Sequence, residues 1–300
     1  MTESDIRTEL DFLPAQAAAI GAPAPVPHVE RLNLTLANGR TISALRFGGD
    51  APVVTFLHGA GLNAHTFDTT ILALGLPSLT IDLPGHGDSS WRDDANYGPR
   101  TMADDVAQAI AAWTDVPQVL VGQSLGGLTA AVVAAKHPEL VRTLVMIDIT
   151  PGIDQSGVAQ VRGFLDGASD FASRDEIVER ALAFGLGGAR EDTERGVFLN
   201  TRVRDDGRVI FKHHFANLGG LPPADSFNMA PVWEDLAAVV APITLIRGDR
   251  GYVTGANAEA LIERVPGASL ITVAAGHNVQ EDAPVELGRI IGEISGGVAS

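Results

Sequence analysis

Six short apolar runs frame this chain: "VVTFL" (53–57), "SLTI" (78–81), "QVLV" (118–121), "TLVMI" (143–147), "ITLI" (243–246) and "LITV" (270–273). Each has the length of a strand, and each is too uniformly apolar to leave one face in water. They read as strands buried on both faces. Helix-like segments at 101–113, 126–137, 256–264 and 283–294 lie between or after them. Such alternation predicts an α/β chain whose central sheet is mostly parallel and carries helices on both faces. Ahead of the first run, "RLNLTLANGRTISALRF" alternates apolar and polar residues around Asn38-Gly39. That pattern predicts a hairpin closed by a two-residue turn.

The rhythm stops between Pro151 and Met229. No clear sheet strand occurs there, yet seven of the eleven phenylalanines do: Phe164, Phe171, Phe184, Phe198, Phe211, Phe215 and Phe227. A helical insertion with its own small core is predicted, lying as a cap over the C-terminal edge of the sheet, where ligands bind in open α/β folds. The expected organisation is an Ala/Pro-rich N-terminal surface arm (1–28), a core (29–150 and 231–300) and a helical cap (151–230) inserted after the sixth strand. No repeat of fixed period is present.

Composition narrows the function. Acidic residues outnumber basic ones 37 to 21, for a formal charge of −16. That field repels nucleic-acid phosphates and anionic lipid heads, so neither nucleic acid nor a membrane is an expected partner. A small-molecule substrate is, and the chain is expected to act as a monomer or homodimer. The absence of cysteine excludes disulfides, thiolate metal sites and cysteine nucleophiles. The first residues, "MTESDIRTELDFLP", are acidic and carry no apolar leader, and no apolar stretch is long enough for a membrane helix. A cytoplasmic location is expected.

The chemistry centres on "LVGQSLGGL" (120–128), an apolar strand running into a helix through G-x-S-x-G. A serine on so tight a bend takes a strained backbone conformation, and side chains two residues to either side would collide. The bend lifts the Ser124 hydroxyl above the sheet edge, at a helix N-terminus whose amides favour developing negative charge. An ordinary glycine turn is the bland alternative; the strand–turn–helix setting argues against it. A dinucleotide-binding loop is excluded, because the glycines lack G-x-G-x-x-G spacing.

From about residue 30 onward the chain resembles the capped members of the α/β-hydrolase superfamily. The resemblance rests on "FLHGAG" (56–61), "DLPGHGDS" (82–89), "GQSLGG" (122–127), "VWEDL" (232–236) and "GHNVQEDAP" (276–284), in family order. It implies Ser124 as nucleophile and His277 as general base, with an acid to fix the imidazole tautomer. In most relatives that acid follows the seventh strand, three residues beyond a glycine. Here "IRGDRGYV" puts Gly251 at that position. Asp148, ending the sixth strand in "VMIDITPG", is the favoured acid, and Asp249 is the alternative. The backbone amides of Leu125 and Ala60 are expected to form the oxyanion hole. Asp82 and Asp88 read as loop-holding residues. His58 and His86 read as structural polar groups of the glycine loops. His213, His214 and Arg202 read as cap residues able to anchor a substrate acid. No compact His/Asp spacing suggests a metal, and no cofactor is expected.

Hydrolysis of a carboxylic ester or lactone of a small to medium hydrophobic substrate, through an acyl-enzyme, is therefore the leading expectation. Carbon–carbon hydrolysis of a ring-cleavage diketo acid is the nearest alternative; its usual tryptophan after the histidine is replaced by "HNVQED". A ligand-binding module on a hydrolase scaffold is the third.

Overall fold

The structure, a computed structural model, describes residues 7–153, 169–185, 188–219 and 229–296. Phe164 and Phe227 of the expected cap, and the first six residues, lie outside them. All six apolar runs are strands of one eight-stranded sheet. In chain order its members are β1 (Val29–Thr35), β2 (Thr41–Phe47), β3 (Val54–Leu57), β4 (Ser78–Asp82), β5 (Gln118–Gln123) and β6 (Val141–Ile147), then two later strands, Ile243–Gly248 and Ser269–Val273. The spatial order is β1-β2-β4-β3-β5-β6, followed by those two. Only the β1–β2 and β2–β4 pairs are antiparallel.

The hairpin departs from expectation in its turn. Leu36 N–H bonds to Arg40 O at 2.8 Å, so three residues connect the strands, with Gly39 left-handed (φ 81°). A tight turn followed by one left-handed residue also closes a hairpin, and Asn-Gly serves both forms.

Alternation along each strand builds two cores. Val119, Val121, Val145, Ile147 and Ile246 face one side with Phe47, Phe56 and Phe67; Leu120, Leu144, Met146 and Leu245 face the other. Helices α1 (Leu13–Ala19) and α2 (Asp68–Leu74) and the C-terminal helix Pro284–Gly296 cover the first face. Helices α3 (Pro99–Trp113), α4 (Leu125–Lys136), Val232–Ala238 and Gly255–Arg264 cover the second. Burying each large apolar side chain stabilises the fold by about 1.5–3 kcal/mol. The edge strand Ser269–Val273 is less enclosed than its composition implied, with Leu270 44% exposed, because only one neighbour pairs with it.

Among its described residues the insertion carries two helices, α5 (Arg174–Ala183) and α6 (Arg190–Asn200). It also holds a three-stranded antiparallel sheet that the sequence did not announce: β7 (Asp170–Phe171), β8 (Thr201–Val203) and β9 (Val209–Phe211), in the order β7-β9-β8. The later main-sheet strands are thus β10 (Ile243–Gly248) and β11 (Ser269–Val273), and the later helices α7 (Val232–Ala238), α8 (Gly255–Arg264), α9 (Val279–Asp282) and α10 (Pro284–Gly296). Phe171, Ile177, Val197, Val209 and Phe211 form the insertion's own core, whereas Phe215 joins the main one. Hydrogen bonds moor the insertion to the loops after β3 and β4. Asn200 Nδ2 donates to Gly61 O (2.6 Å), Trp91 Nε1 to Lys212 O (2.8 Å), and His214 N–H to Gly85 O (2.8 Å).

The N-terminal arm is docked rather than free on the surface. Leu13 and Ala17 are buried against α2, and Phe12 meets Phe198 of the insertion edge to face, 5.3 Å between centroids. Glu9 binds Arg31 at 2.6 Å and His65 Nε2 at 3.2 Å, while His65 Nδ1 lies 2.8 Å from Asp68. Burial opposes charge on His65, but Asp68 and Glu9 outweigh it and push the imidazole up to about 9. The folded chain therefore holds a proton that the unfolded chain releases near pH 6.5. This stabilisation is complete below about pH 6.5 and is lost as pH rises through about 9. Calorimetry should show the melting temperature of wild type falling by several degrees between pH 6.5 and 9.5. His65→Gln should melt lower at pH 6.5 and lose most of that alkaline decline.

Candidate active site

Ser124 sits between β5 and α4 with φ 51° and ψ −121°, and is the N-cap of the helix. Helix and strand approach so closely that a Cβ on Gly122 would strike the Gly126 carbonyl, and one on Gly126 would strike the Leu57 carbonyl. Glycine two residues to either side of the serine is thus a packing requirement. The Leu125 N–H opens α4 and belongs to the helix amides that have no intrahelical acceptor. Ala60 lies half-buried in the loop after β3, packed against the same apolar cluster as Leu125.

His58 holds that loop. Its Nε2 accepts from Leu83 N–H (3.0 Å), so Nδ1 carries the proton and donates to Gly59 O (2.8 Å). Burial pushes His58 down to about 4, which keeps the ring neutral and the tautomer fixed. Asp82 supports the same region. One carboxylate oxygen accepts from Ala64 N–H (2.7 Å), and the other from Asp88 N–H (3.1 Å) and Arg31 (2.8 Å). Asp88 is ion-paired with Lys212 at 3.1 Å.

The C-terminal histidine comes to the end of β6. Asp148, fully buried and left-handed (φ 45°), directs its Oδ2 at His277 Nδ1, 2.8 Å away. The same oxygen accepts from Tyr252 N–H (2.6 Å), and Oδ1 accepts from Gly248 N–H (3.1 Å). A buried carboxylate therefore meets three donors, and its desolvation is offset. Ser124 and Asp148 are two of only three non-glycine residues with positive φ among the described residues. Strain of this kind collects where a structure fixes side chains for chemistry.

Asp249, the alternative acid, is engaged elsewhere: it accepts from Ala275 N–H (3.0 Å) and pairs with Arg250 (3.2 Å). Gly251 leaves room for the Asp148 carboxylate. A Cβ at Gly251 would collide with both carboxylate oxygens of Asp148. The site that could carry an acidic side chain is the space the Asp148 carboxylate fills.

Two neighbours of His277 were not foreseen. The Tyr252 ring stacks on the imidazole, with centroids 3.8 Å apart and planes at 12°. Gln123 Nε2 lies 3.0 Å from His277 Nε2, the nitrogen left free by Asp148. Among the described residues the Ser124 hydroxyl forms no hydrogen bond with His277. Catalytic hydrogen bonds are often formed only once substrate is present. Tyr252 carries no sequence signal beyond following Gly251. Gln123 adjoins the serine, but its partner is 154 residues away.

The remaining candidates lie apart from this cluster. His213 and His86 are buried, pack 6.4 Å apart, and are each pushed down to about 3, chiefly by burial. His214 stacks on Trp91 (4.4 Å) and meets the Tyr97 hydroxyl at 2.7 Å. Arg202 lies over the Trp91 ring at 5.1 Å. Arg202, Asp88, Ser90 and Trp91 line an open polar depression of about 400 Å³ that includes none of Ser124, Asp148 and His277. No helix among the described residues is long and apolar enough to cross a membrane.

Comparison with known proteins agrees with this architecture. A family model described as alpha/beta hydrolase fold matches residues 52–284. The esterase Rv0045c of Mycobacterium tuberculosis is 38% identical over 304 aligned positions, covering 97% of this chain and 98% of that protein. Its crystal structure superposes with a TM-score of 0.82 at 36% identity, over 96% of this chain and 98% of that one. The 2-(acetamidomethylene)succinate hydrolase of Mesorhizobium japonicum is 27% identical, covering 82% of this chain and 88% of that protein. The sheet order, the serine bend and these matches together establish that the chain belongs to the α/β-hydrolase fold family.

Proposed function

We propose that this hydrolase cleaves carboxylic esters or lactones of small to medium hydrophobic substrates through an acyl-enzyme on Ser124. The observation that carries the reading is the Asp148–His277 hydrogen bond at 2.8 Å, beside a serine held at a strained strand–helix bend. With Nδ1–H donated to Asp148, the lone pair of His277 is on Nε2, the position from which a base takes the serine proton. Attack on the ester carbonyl forms a tetrahedral oxyanion, which the Leu125 and Ala60 amides stabilise. Imidazolium then protonates the leaving alcohol, and water, activated by the same ring, releases the acid. Two further observations support an apolar ester. Ile149, Ile153, Phe215 and Met229 belong to the same apolar cluster as Leu125 and Ala60, and the relative that covers nearly the whole chain is named an esterase.

The test is a panel of p-nitrophenyl esters with a fluorophosphonate probe. Wild type should be labelled and should turn over medium-chain esters. Ser124→Ala should lose labelling and about 10⁵–10⁶ in kcat. Asp148→Asn should lose about 10³–10⁴ in kcat, by setting the wrong imidazole tautomer, and Asp249→Asn should stay within about threefold. Equal labelling of wild type and Ser124→Ala would overturn the reading.

Gly251 gives a second prediction. The extra methyl of Gly251→Ala displaces the Asp148 carboxylate, so kcat/KM should fall by about 10–100-fold, the scale of a misplaced catalytic group. Added to Asp148→Asn it should cost little more, because both changes break one interaction.

A further inference from the structure

His277 is held on three sides, and the third contact has a consequence for how the base is released. Asp148, from the end of β6, takes its Nδ1, and Tyr252, from the loop after β10, covers its face. Gln123, the last residue of β5, has its amide nitrogen 3.0 Å from Nε2. The orientation of that amide is set by its surroundings. The same nitrogen lies 3.4 Å from the His277 carbonyl and 3.3 Å from Asn278 Oδ1. A carbonyl can only accept, and Asn278 is itself turned by its Nδ2 donating to Glu281 at 3.1 Å. Three acceptors thus converge on one nitrogen, which makes it the donor end. The other end, Oε1, is buried without a hydrogen-bond partner, in the space left by the missing side chain of Gly59.

We propose that Gln123 is a positioning residue that masks the base: its N–H occupies the Nε2 lone pair and withholds it from Ser124 until substrate displaces the amide. The proposal rests on the serine-hydrolase reading above for its meaning in turnover. Its physical content is independent of it. An imidazole nitrogen has one lone pair, so the Gln123 amide and the Ser124 hydroxyl compete for it. The hydrogen bond exists only with neutral His277, because protonated Nε2 becomes a donor and confronts the amide N–H. Apart from Gln123, the groups around the ring meet its Nδ1, its face or its frame. Asp148 is in direct contact and Tyr252 is stacked on it. Glu281 and Asp282 follow on α9, with Asp282 accepting from Gly276 N–H at 2.6 Å; Arg195 on α6 faces Glu281, and Asp249 holds Ala275 N–H beside Arg250. Among the described residues, Gln123 is the side chain that meets Nε2.

The test compares wild type with Gln123→Met, an apolar side chain of similar length, and Gln123→Glu, which cannot donate. Losing a neutral hydrogen bond to the uncharged ring should move the acidic limb of the kcat/KM profile up by about 0.5–1 pH unit in Gln123→Met. Gln123→Glu should move it further in the same direction. Above that limb, fluorophosphonate labelling of Gln123→Met should run about three- to tenfold faster than wild type, as the lone pair becomes free for the serine. The His277 titration midpoint, followed by NMR of the labelled ring in the Ser124→Ala background, should rise by the same interval. An acidic limb and NMR midpoint that stay in place or move down in both variants would overturn the mask. The NMR arm reads the Gln123 contact whether or not Ser124 is the nucleophile, and probe labelling of Ser124→Ala reads the nucleophile alone.

Discussion

The hydrogen bond between Asp148 and His277 joins two parts of the chain that share no local structure, and the site is built around it. Asp148 ends β6 in a left-handed conformation, while His277 hangs from the loop after β11, two strands away. A fully buried carboxylate is tolerable only when its oxygens are satisfied. Here the backbone amides of Gly248 and Tyr252 supply what the imidazole does not. The end of β10 and the loop after it therefore contribute amides and an aromatic face around the Asp148–His277 pair. The carboxylate comes from the neighbouring strand.

Much of the fold was legible in the sequence for one reason. Parallel strands covered on both faces must be apolar along their whole length, and such runs stand out against polar loops. The runs at 53–57, 118–121 and 143–147 became β3, β5 and β6 on that ground. The small sheet of the insertion escaped notice because β7, β8 and β9 are two or three residues long, too short to display alternation. The hairpin turn is one residue longer than the two-residue form its sequence predicts, since Asn-Gly fits two turn geometries and register decides between them.

At the site, legibility followed the range of the constraint. Glycines crowding Ser124 answer to contacts between adjacent strand and helix, so a local motif reveals them. Gly251 stood out only as a missing acid, and the space it leaves is explained by a carboxylate 103 positions earlier in the chain, as the residue numbers 148 and 251 give. Gln123 and Tyr252 acquire their roles from what lies opposite them after folding, which no local pattern encodes. The buried histidines divide likewise: His58 fixes a loop through two hydrogen bonds, whereas His86 and His213 are kept uncharged by being sealed in.

The segment Glu9–Ala19 is tied into the fold. Glu9 shares Arg31 with Asp82, and Asp82 in turn holds the Ala64 amide just beyond the glycine loop. Peeling the first helices away would strip one carboxylate, Glu9, from both Arg31 and His65 and loosen the anchor of that loop in a single step. Undocking of this segment is therefore energetically coupled to the loops at the C-terminal edge of the sheet, and a passenger domain fused close to residue 8 would load that coupling.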